Sequence, residues 1–508
     1  MKRILHTFLF SLTLASFSWE THYKVEDIQL PKGVDPQIGG LDMNSNGEIV
    51  ACFHRGQVMI YNQDKDQWRE FATGLHEPLG ILAEDDGSIL VVQRPEITRL
   101  KDTNGDGKAD LYETVCDDWG MSGNYHEFNF GLVKDSKGNL YISLGTASSG
   151  AGVREEIRGE WNTAGGLSQE LFFTDPTLGS WADQKKTKDI PRMYARVPYR
   201  GCVLKVTPGN RKAEVYATGL RTPNGLYVDE NDQLWVTDNQ GDWVGASKLH
   251  RIQEGKFHGH AASLLWDTEN PVTDAVPLEL PVKQLDQRRI KAAALLPQGE
   301  AGNSLTQSLP GRTSFFPIDN ASSIIVGEMN EARLVHYFKD DVNGVLQGAA
   351  THTLNTTSIG AGNNRLLYSP DGKTLYLGKT HLSWPGREGL KKITYQDKPY
   401  LMAQSVKMTT KGFDITYNAP ISLISDHSDF LIESFGLIYS KQYGSPKMDL
   451  QTCEISKTTI SGNTLSIELS KPLAPNQIYD IRIPSKLTSE LGEASSNRFW
   501  YTAHEVVK

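Results

Sequence analysis

One phrase recurs along the first four hundred residues, and it restricts the fold more than any other feature. An apolar pair is followed by a turn built from Gly, Asp or Asn, and then by an alternating strand. Copies stand at residues 40–50, 79–91, 130–141, 224–235, 314–325 and 364–376. Each reads as a β-hairpin, because residues that tolerate tight turns separate two runs whose side chains alternate between faces. A hairpin repeated at about blade length predicts sheets set around an axis, since radial closure leaves few open strand edges. The competing arrangement is an open β-sandwich array, which would leave many edges unpaired. The pattern therefore predicts an all-β chain with a six-bladed β-propeller over residues 19–399. The longer intervals near 150–200 and 255–310 read as inserted loops, where such scaffolds place function.

The pattern changes after about Tyr400. Clean alternation at residues 413–417, 464–469 and 479–483, punctuated by Pro472, Pro475 and Asn476, predicts a small immunoglobulin-like β-sandwich over residues 400–508. Its polar turns suggest packing or adhesion instead of chemistry. At the other end, Met1-Lys2-Arg3 precedes an apolar run that reaches Phe17 and ends among small residues. This reads as a secretory signal peptide over residues 1–18, and so as a periplasmic or secreted protein. No later segment is apolar enough to cross a bilayer, so no membrane span is expected in the mature chain. The net charge of −9 is spread without a basic stripe, which argues against nucleic acid as a partner. Of the four cysteines, Cys116 and Cys202 are the expected disulfide, with Cys52 and Cys453 free and buried. Cys-x-x-Cys-His is absent, so the chain carries no c-type haem signature.

A second feature is chemically sharper. Residues 102–113 place oxygen side chains at positions 1, 3, 5, 9 and 12 of a twelve-residue loop, with Gly107 at position 6. That is the spacing of a calcium loop. Ca²⁺ takes six to eight oxygens, and a tightly wound loop presents alternate residues inward. Asp102, Asn104, Asp106, Asp110 and Glu113 are the expected side-chain ligands, with Lys108 offering its carbonyl. The ion is expected to be a structural staple; an acidic surface turn is the alternative.

The residues suited to chemistry gather near the starts of repeats, where strands open toward a propeller's central channel. His126 is the expected general base, because its ordinary pKa lies near neutrality. Arg200 and Arg221 can fork onto an anionic cofactor or a substrate carboxylate, or else form salt bridges between blades. Asn224 lies beside Arg221. Asp238, Asn239 and Asp242 can hold a second metal or sugar hydroxyls, or simply cap a turn. Trp119, Trp243 and Trp384 can stack on sugar rings or fill the core. Gly-x-Ser-x-Gly, a Walker loop, a Rossmann fingerprint and His-Glu-x-x-His are all absent, which sets aside the commonest hydrolase, nucleotide and zinc-protease readings.

His126 ahead of a Gly-Leu-x-x-Asp-x-x-Gly-Asn-Leu-Tyr strand, followed by Gly219-Leu220-Arg221-Thr222-Pro223-Asn224-Gly225-Leu226, resembles the glucose/sorbosone dehydrogenases. These are six-bladed propellers that use pyrroloquinoline quinone (PQQ) and calcium. The resemblance implies that His126 is the base on a sugar hydroxyl and that Arg221 contacts cofactor or substrate. It also places Gln240-Gly241-Asp242 at a turn near a cofactor calcium, with Arg200, Asn224, Asn239, Gln240 and Gly241 as cofactor contacts. Arg94-Pro95-Glu96, the calcium loop, Cys116 to Gly120, Asn124 to Glu127 and Asp238 to Trp243 are similar to a divergent exported bacterial subgroup of that family. The similarity covers roughly residues 25–400. Thr222 replaces the family's Asn, Asp242 stands where Pro is usual, and no counterpart of the later quinone-clamping Lys and Arg pair is evident; Arg365 and Arg387 remain, in surroundings that do not match. The implied activity is oxidation of a sugar or polyol hydroxyl with PQQ as hydride acceptor and a periplasmic electron acceptor as partner. A carbohydrate-active lyase or hydrolase, or a non-catalytic carbohydrate-binding propeller, would use the same residues.

Overall fold

The computed structural model describes residues 17–149, 156–160, 192–318, 323–381, 386–423, 429–485 and 487–508. Most of the signal-peptide stretch, much of the 150–200 insertion and Trp384 lie outside the described residues. The chain is all-β, and its first part is a series of four-stranded antiparallel sheets. The first comprises Ile38–Met43, Ile49–Phe53, Val58–Asn62 and Gln67–Ala72. The second comprises Gly80–Ala83, Ile89–Val92, Ile97–Lys101 and Leu111–Cys116, and the third Asn129–Lys134, Leu140–Leu144, Val203–Val206 and Ala213–Ala217. The fourth comprises Gly225–Val228, Leu234–Asp238, Ser247–Arg251 and Ala294–Leu296, and the fifth Leu305–Pro310, Ser323–Glu328, Leu334–Val342 and Val345–Thr353. The sixth joins Asn363–Tyr368, Thr374–Lys379 and Gly389–Tyr395 to Tyr23–Ile28 from the start of the chain. Tyr23 stands opposite Tyr395 and Ile28 opposite Leu390, so the two ends of this region are tied in one ladder.

The leading strands of these sheets touch in chain order, and Asn363–Tyr368 touches Ile38–Met43. Apolar clusters fill the spaces between neighbouring sheets. Val50, Ile60, Ile81 and Val91 pack between the first and second, for instance, and Ile38, Ile49, Tyr376 and Leu390 between the sixth and first. Each sheet thus buries both faces, which is why its central strands read as continuous apolar runs instead of strict alternation. Close approach at the axis depends on missing side chains. A Cβ on Gly80 would overlap the Gly131 carbonyl, and one on Gly225 would overlap the Thr306 carbonyl.

A guanidinium spans the axis at one end of a channel of about 510 Å³ lined by the leading strands. Arg365, 3% exposed, donates from Nε to Gly39 O (2.6 Å), from Nη2 to Leu79 O (2.9 Å) and from Nη1 to Asn224 Oδ1 (3.0 Å). Asn364 adds a bond from Nδ2 to Ile38 O at 3.0 Å. Burial lowers the Arg365 pKa to about 10, so the group stays charged at neutral pH. Backbone carbonyls and amide oxygens solvate it in place of water.

The structure corrects three expectations. The fifth phrase is shifted: its leading strand is Leu305–Pro310, inside the stretch expected to be an insertion. Phe315 and Phe316 sit instead in a turn whose amides donate to Arg312 O, and both rings are buried. Buried aromatic pairs mimic a strand in sequence whichever backbone carries them. The insertion in the fourth sheet is correspondingly shorter and carries the 3-10 turn Ala261–Trp266 and the helix Val282–Arg288. Finally, all four cysteines are thiols. Cys116 and Cys202 share one apolar cluster without bonding, and Cys453 is only half-buried.

The C-terminal region is joined edge to edge with the fifth sheet. Val345–Thr353 pairs with Arg498–Ala503, making one eight-stranded sheet that continues through Gln477–Arg482, Leu431–Gly436 and Met448–Thr452. A second sheet of Ala403–Met408, Gly412–Tyr417, Thr464–Leu469 and Ile455–Ser461 packs on it. Their shared core takes in Phe338, Val342 and Ala349 from the fifth sheet.

Candidate active site

The segment just before Asn129–Lys134 carries His126, and two guanidiniums set its path. Arg94 donates to Asn124 O and Glu127 O, each at 3.2 Å, and to Tyr125 O. Arg200, fully buried, donates to Gly120 O (2.8 Å), Glu127 O (3.0 Å) and Asn129 Oδ1 (2.6 Å). Arg200 is therefore a brace beneath the site and not the cofactor contact expected of it. Glu127 faces inward, accepting from Ser122 N and Oγ, while His126 lines the pocket between Tyr125 and Phe128.

The His126 ring has a defined tautomer. Its Nδ1 lies 2.8 Å from Thr146 O, and a carbonyl can only accept, so Nδ1 carries the proton and Nε2 keeps its lone pair. Burial and the nearby Arg221 charge lower its pKa to about 3. The ring is neutral at physiological pH.

His126 lines a pocket of about 120 Å³ with Arg192, Arg221, Asn224, Asn239 and Tyr443. On the scale where about 10–15 Å³ admits one water, this is room for roughly ten waters. Arg221 enters from the link between the third and fourth sheets. Its amide and that of Thr222 donate to the buried Asp238 carboxylate, at 3.2 and 2.6 Å. Lys248 Nζ neutralises Asp238 at 3.1 Å and also donates to Asn239 O at 2.7 Å. A Cβ on Gly241 would overlap Arg221 Cδ, so this glycine is what lets the side chain pass. Asp242 Oδ1 lies 4.0 Å from Arg221 Nε and 3.3 Å from His260 Nε2. Burial pushes the Asp242 carboxyl up, but His260 and Arg221 outweigh it and hold it below the usual range. Arg221 Nε and Asn239 Oδ1 are buried without a hydrogen-bond partner among the described residues, and the Asp242 carboxylate 4.0 Å from Arg221 Nε balances that charge.

The structure thus brings together His126, Arg221, Asn224, Asn239 and Gln240, the last also at the pocket wall. Asn224 is shared with the axis, where it bonds Arg365. Asp238 and Asp242 serve the turn and the arginine; among the described residues no three His, Cys, Asp or Glu side chains converge as a metal site. Trp119 and Trp243 are buried, 3% and 2% exposed, and belong to the core. Arg365 occupies the axis and Arg387 is exposed, so neither reaches the pocket. Arg192 and Tyr443 were not signalled by any motif. One lies within the 150–200 insertion, and the other arrives from the C-terminal region expected only to pack or adhere.

In the 102–113 loop the oxygens cap amides. Asp102 accepts from Gly105 N and Gly107 N, Asn104 from Asp106 N and Asp106 from Lys108 N, all at 2.7–2.9 Å. Asp110 accepts from Thr103 N and Oγ1. Glu113 lies in Leu111–Cys116, where it pairs with Arg211 at 3.6 Å.

Residues 61–172 match a family model described as a domain of unknown function, DUF7133. No curated protein matches the chain. Solved structures similar to it include the PQQ-bound aldose sugar dehydrogenase from Streptomyces coelicolor, at 14% identity and a TM-score of 0.46, covering 73% of this chain and 98% of that one. The PQQ domain of pyranose dehydrogenase from Coprinopsis cinerea is similar at 11% identity and a TM-score of 0.47, covering 75% and 97%. The soluble aldose sugar dehydrogenase from Escherichia coli is similar at 14% identity and a TM-score of 0.42, covering 74% and 100%. At such distances the chemistry has to be decided by the pocket's own residues.

Proposed function

We propose that this protein oxidises a hydroxyl of a sugar or polyol, with His126 as base, PQQ as acceptor, and a working place in the periplasm or outside the cell. The observation that carries the reading is the His126 ring: neutral, pinned at Nδ1 by Thr146, and lining the pocket with Nε2 as its only basic atom. A base so placed takes the hydroxyl proton as the carbon is oxidised. Arg221 stabilises negative charge developing on that oxygen. The residues present suit an anionic planar quinone. Arg192 and Arg221 supply the cations, Tyr443 a flat face, and the wall residues Asn224, Asn239 and Gln240 side-chain amides. When bound, the quinone supplies a two-electron acceptor that no side chain can replace. The test is to add PQQ and Ca²⁺ to the purified protein and follow the quinone absorbance and dye reduction over a panel of sugars. Binding with substrate-dependent reduction is expected. Absence of both binding and reduction would overturn the assignment.

We also propose a structural Ca²⁺ for the 102–113 loop on its donor spacing alone; its carboxylates cap backbone amides and do not converge, so binding requires them to turn inward. The protein should melt higher in millimolar calcium than in chelator, by about 2–3 kcal/mol if calcium exceeds its dissociation constant roughly a hundredfold. Asp106→Ala should erase that difference while sparing activity per folded molecule. Equal melting of the wild type in calcium and chelator would reduce the loop to an amide-capped turn.

A further inference from the structure

We propose that Tyr443, carried by the C-terminal region, is a ligand-contacting wall of the pocket: its ring, stacked on Arg192, holds those guanidiniums in place to face a flat anionic ligand. The proposal rests on the pocket being the site, as read above, and extends it to a region that had no role in it.

The segment bearing Tyr443 is fastened to the loop that shapes the pocket. Trp243–Val244 pairs with Tyr439–Ser440, Gly444 N donates to Gly241 O at 2.9 Å, and Tyr439 Oη donates to Gly259 O at 2.6 Å. The contact is too close for a side chain at Gly245, where a Cβ would sit 2.5 Å from Ser445 Cβ. Gly241, the residue that lets Arg221 pass, is therefore also the residue the C-terminal segment grips. The Tyr443 ring centre lies 3.7 Å from Arg192 Cζ and 5.3 Å from Arg221 Cζ.

Asp242 counters the Arg221 charge at 4.0 Å, and the Tyr443 face adds cation–π attraction to both guanidiniums, most closely to Arg192. The ring is nevertheless 38% exposed, so the stack does not exhaust its surface. An open aromatic beside two guanidiniums suits a ligand that is both flat and negatively charged. The C-terminal region cannot then be a free accessory; its edge-to-edge fusion with the fifth sheet holds Tyr443 at a set distance from Arg221.

The experiment compares Tyr443→Phe, Tyr443→Leu and Tyr443→Ala in the full-length protein with two readouts. The first is equilibrium binding of PQQ by quenching of tryptophan fluorescence. Loss of a desolvated cation–π and stacking face predicts affinity about tenfold weaker for Leu and Ala, with Phe close to wild type. The second needs no ligand: the rate at which phenylglyoxal modifies Arg192 and Arg221, mapped by mass spectrometry. Both arginines should react several-fold faster in Leu and Ala, and at the wild-type rate in Phe. A wild type that binds no PQQ would overturn the quinone reading alone, and the phenylglyoxal rates would still decide the place of Tyr443. Unchanged rates in Tyr443→Ala, or PQQ affinity unchanged in both Leu and Ala, would overturn the proposal.

Discussion

His126→Ala should lower turnover on any sugar or polyol substrate by roughly 10²–10⁴-fold, the usual contribution of a positioned general base, while ligand affinity changes little. The argument is geometric. Thr146 O takes the Nδ1 proton, so the only basic atom of the ring is Nε2, and removing the ring removes the proton acceptor without touching the guanidiniums. The pH profile follows from the same ring. Burial and Arg221 depress its pKa to about 3, so the competent neutral form persists down through mildly acid pH. Protonation of His126 should not limit activity until pH approaches 3; an activity limb near 6.5 that vanishes in the variant would contradict this environment for the ring. His336 and His352 are likewise lowered to about 3 by burial. The unfolded chain binds protons at these rings near pH 6.5 while the folded chain does not, so stability is fully present above that value. It should fall as pH drops from about 6.5 toward 3, measurable as a declining urea midpoint. A midpoint that is flat over that window would show that the rings titrate normally.

Arg365→Met should cost on the order of 3–5 kcal/mol of folding stability. The substitution strands Gly39 O and Leu79 O, two buried carbonyls that Arg365 serves at 2.6 and 2.9 Å, and an unpaired buried acceptor costs about 1–3 kcal/mol. It also removes the donor to Asn224 Oδ1, and with it a tie between the sixth and fourth sheets at the axis. Relief of a buried charge that lacks a carboxylate partner works in the opposite direction. The carbonyl losses outweigh it, because the guanidinium is already solvated by those same oxygens. Equilibrium urea unfolding should show the midpoint falling with the slope unchanged. An unchanged midpoint would mean that water enters the axis and satisfies the carbonyls. Because Asn224 also lines the pocket, the variant should weaken ligand binding in the molecules that remain folded.

The repeated hairpins were legible because turn chemistry and apolar periodicity are local properties. The phrases at 40–50, 79–91, 130–141, 224–235 and 364–376 fall on the leading hairpins of their sheets. The phrase at 314–325 misled because Phe315 and Phe316 are buried in a turn, and burial rather than strand geometry selects their type. The expected Cys116–Cys202 bridge failed for a related reason. A sequence shows that two thiols are apolar neighbours in composition, not how their Cβ vectors meet. His126 and Arg221 could be singled out because each stands just before a strand that opens to the axis. Arg200 shares their chemistry but points below the site, a difference no linear pattern carries.

The amino-acid order determined what is written within a few residues: hairpins, the twelve-residue oxygen loop, a histidine and an arginine at strand mouths. Tertiary structure alone decided that Tyr23–Ile28 completes the sixth sheet, that Arg365 ties strands together across the axis, and that Tyr443 from the far end of the chain stacks on Arg192 beside Arg221. Strand and turn preferences act over neighbouring residues. Which distant groups meet is set by how whole sheets bury their apolar faces against one another, and that is a property of the closed arrangement rather than of any segment.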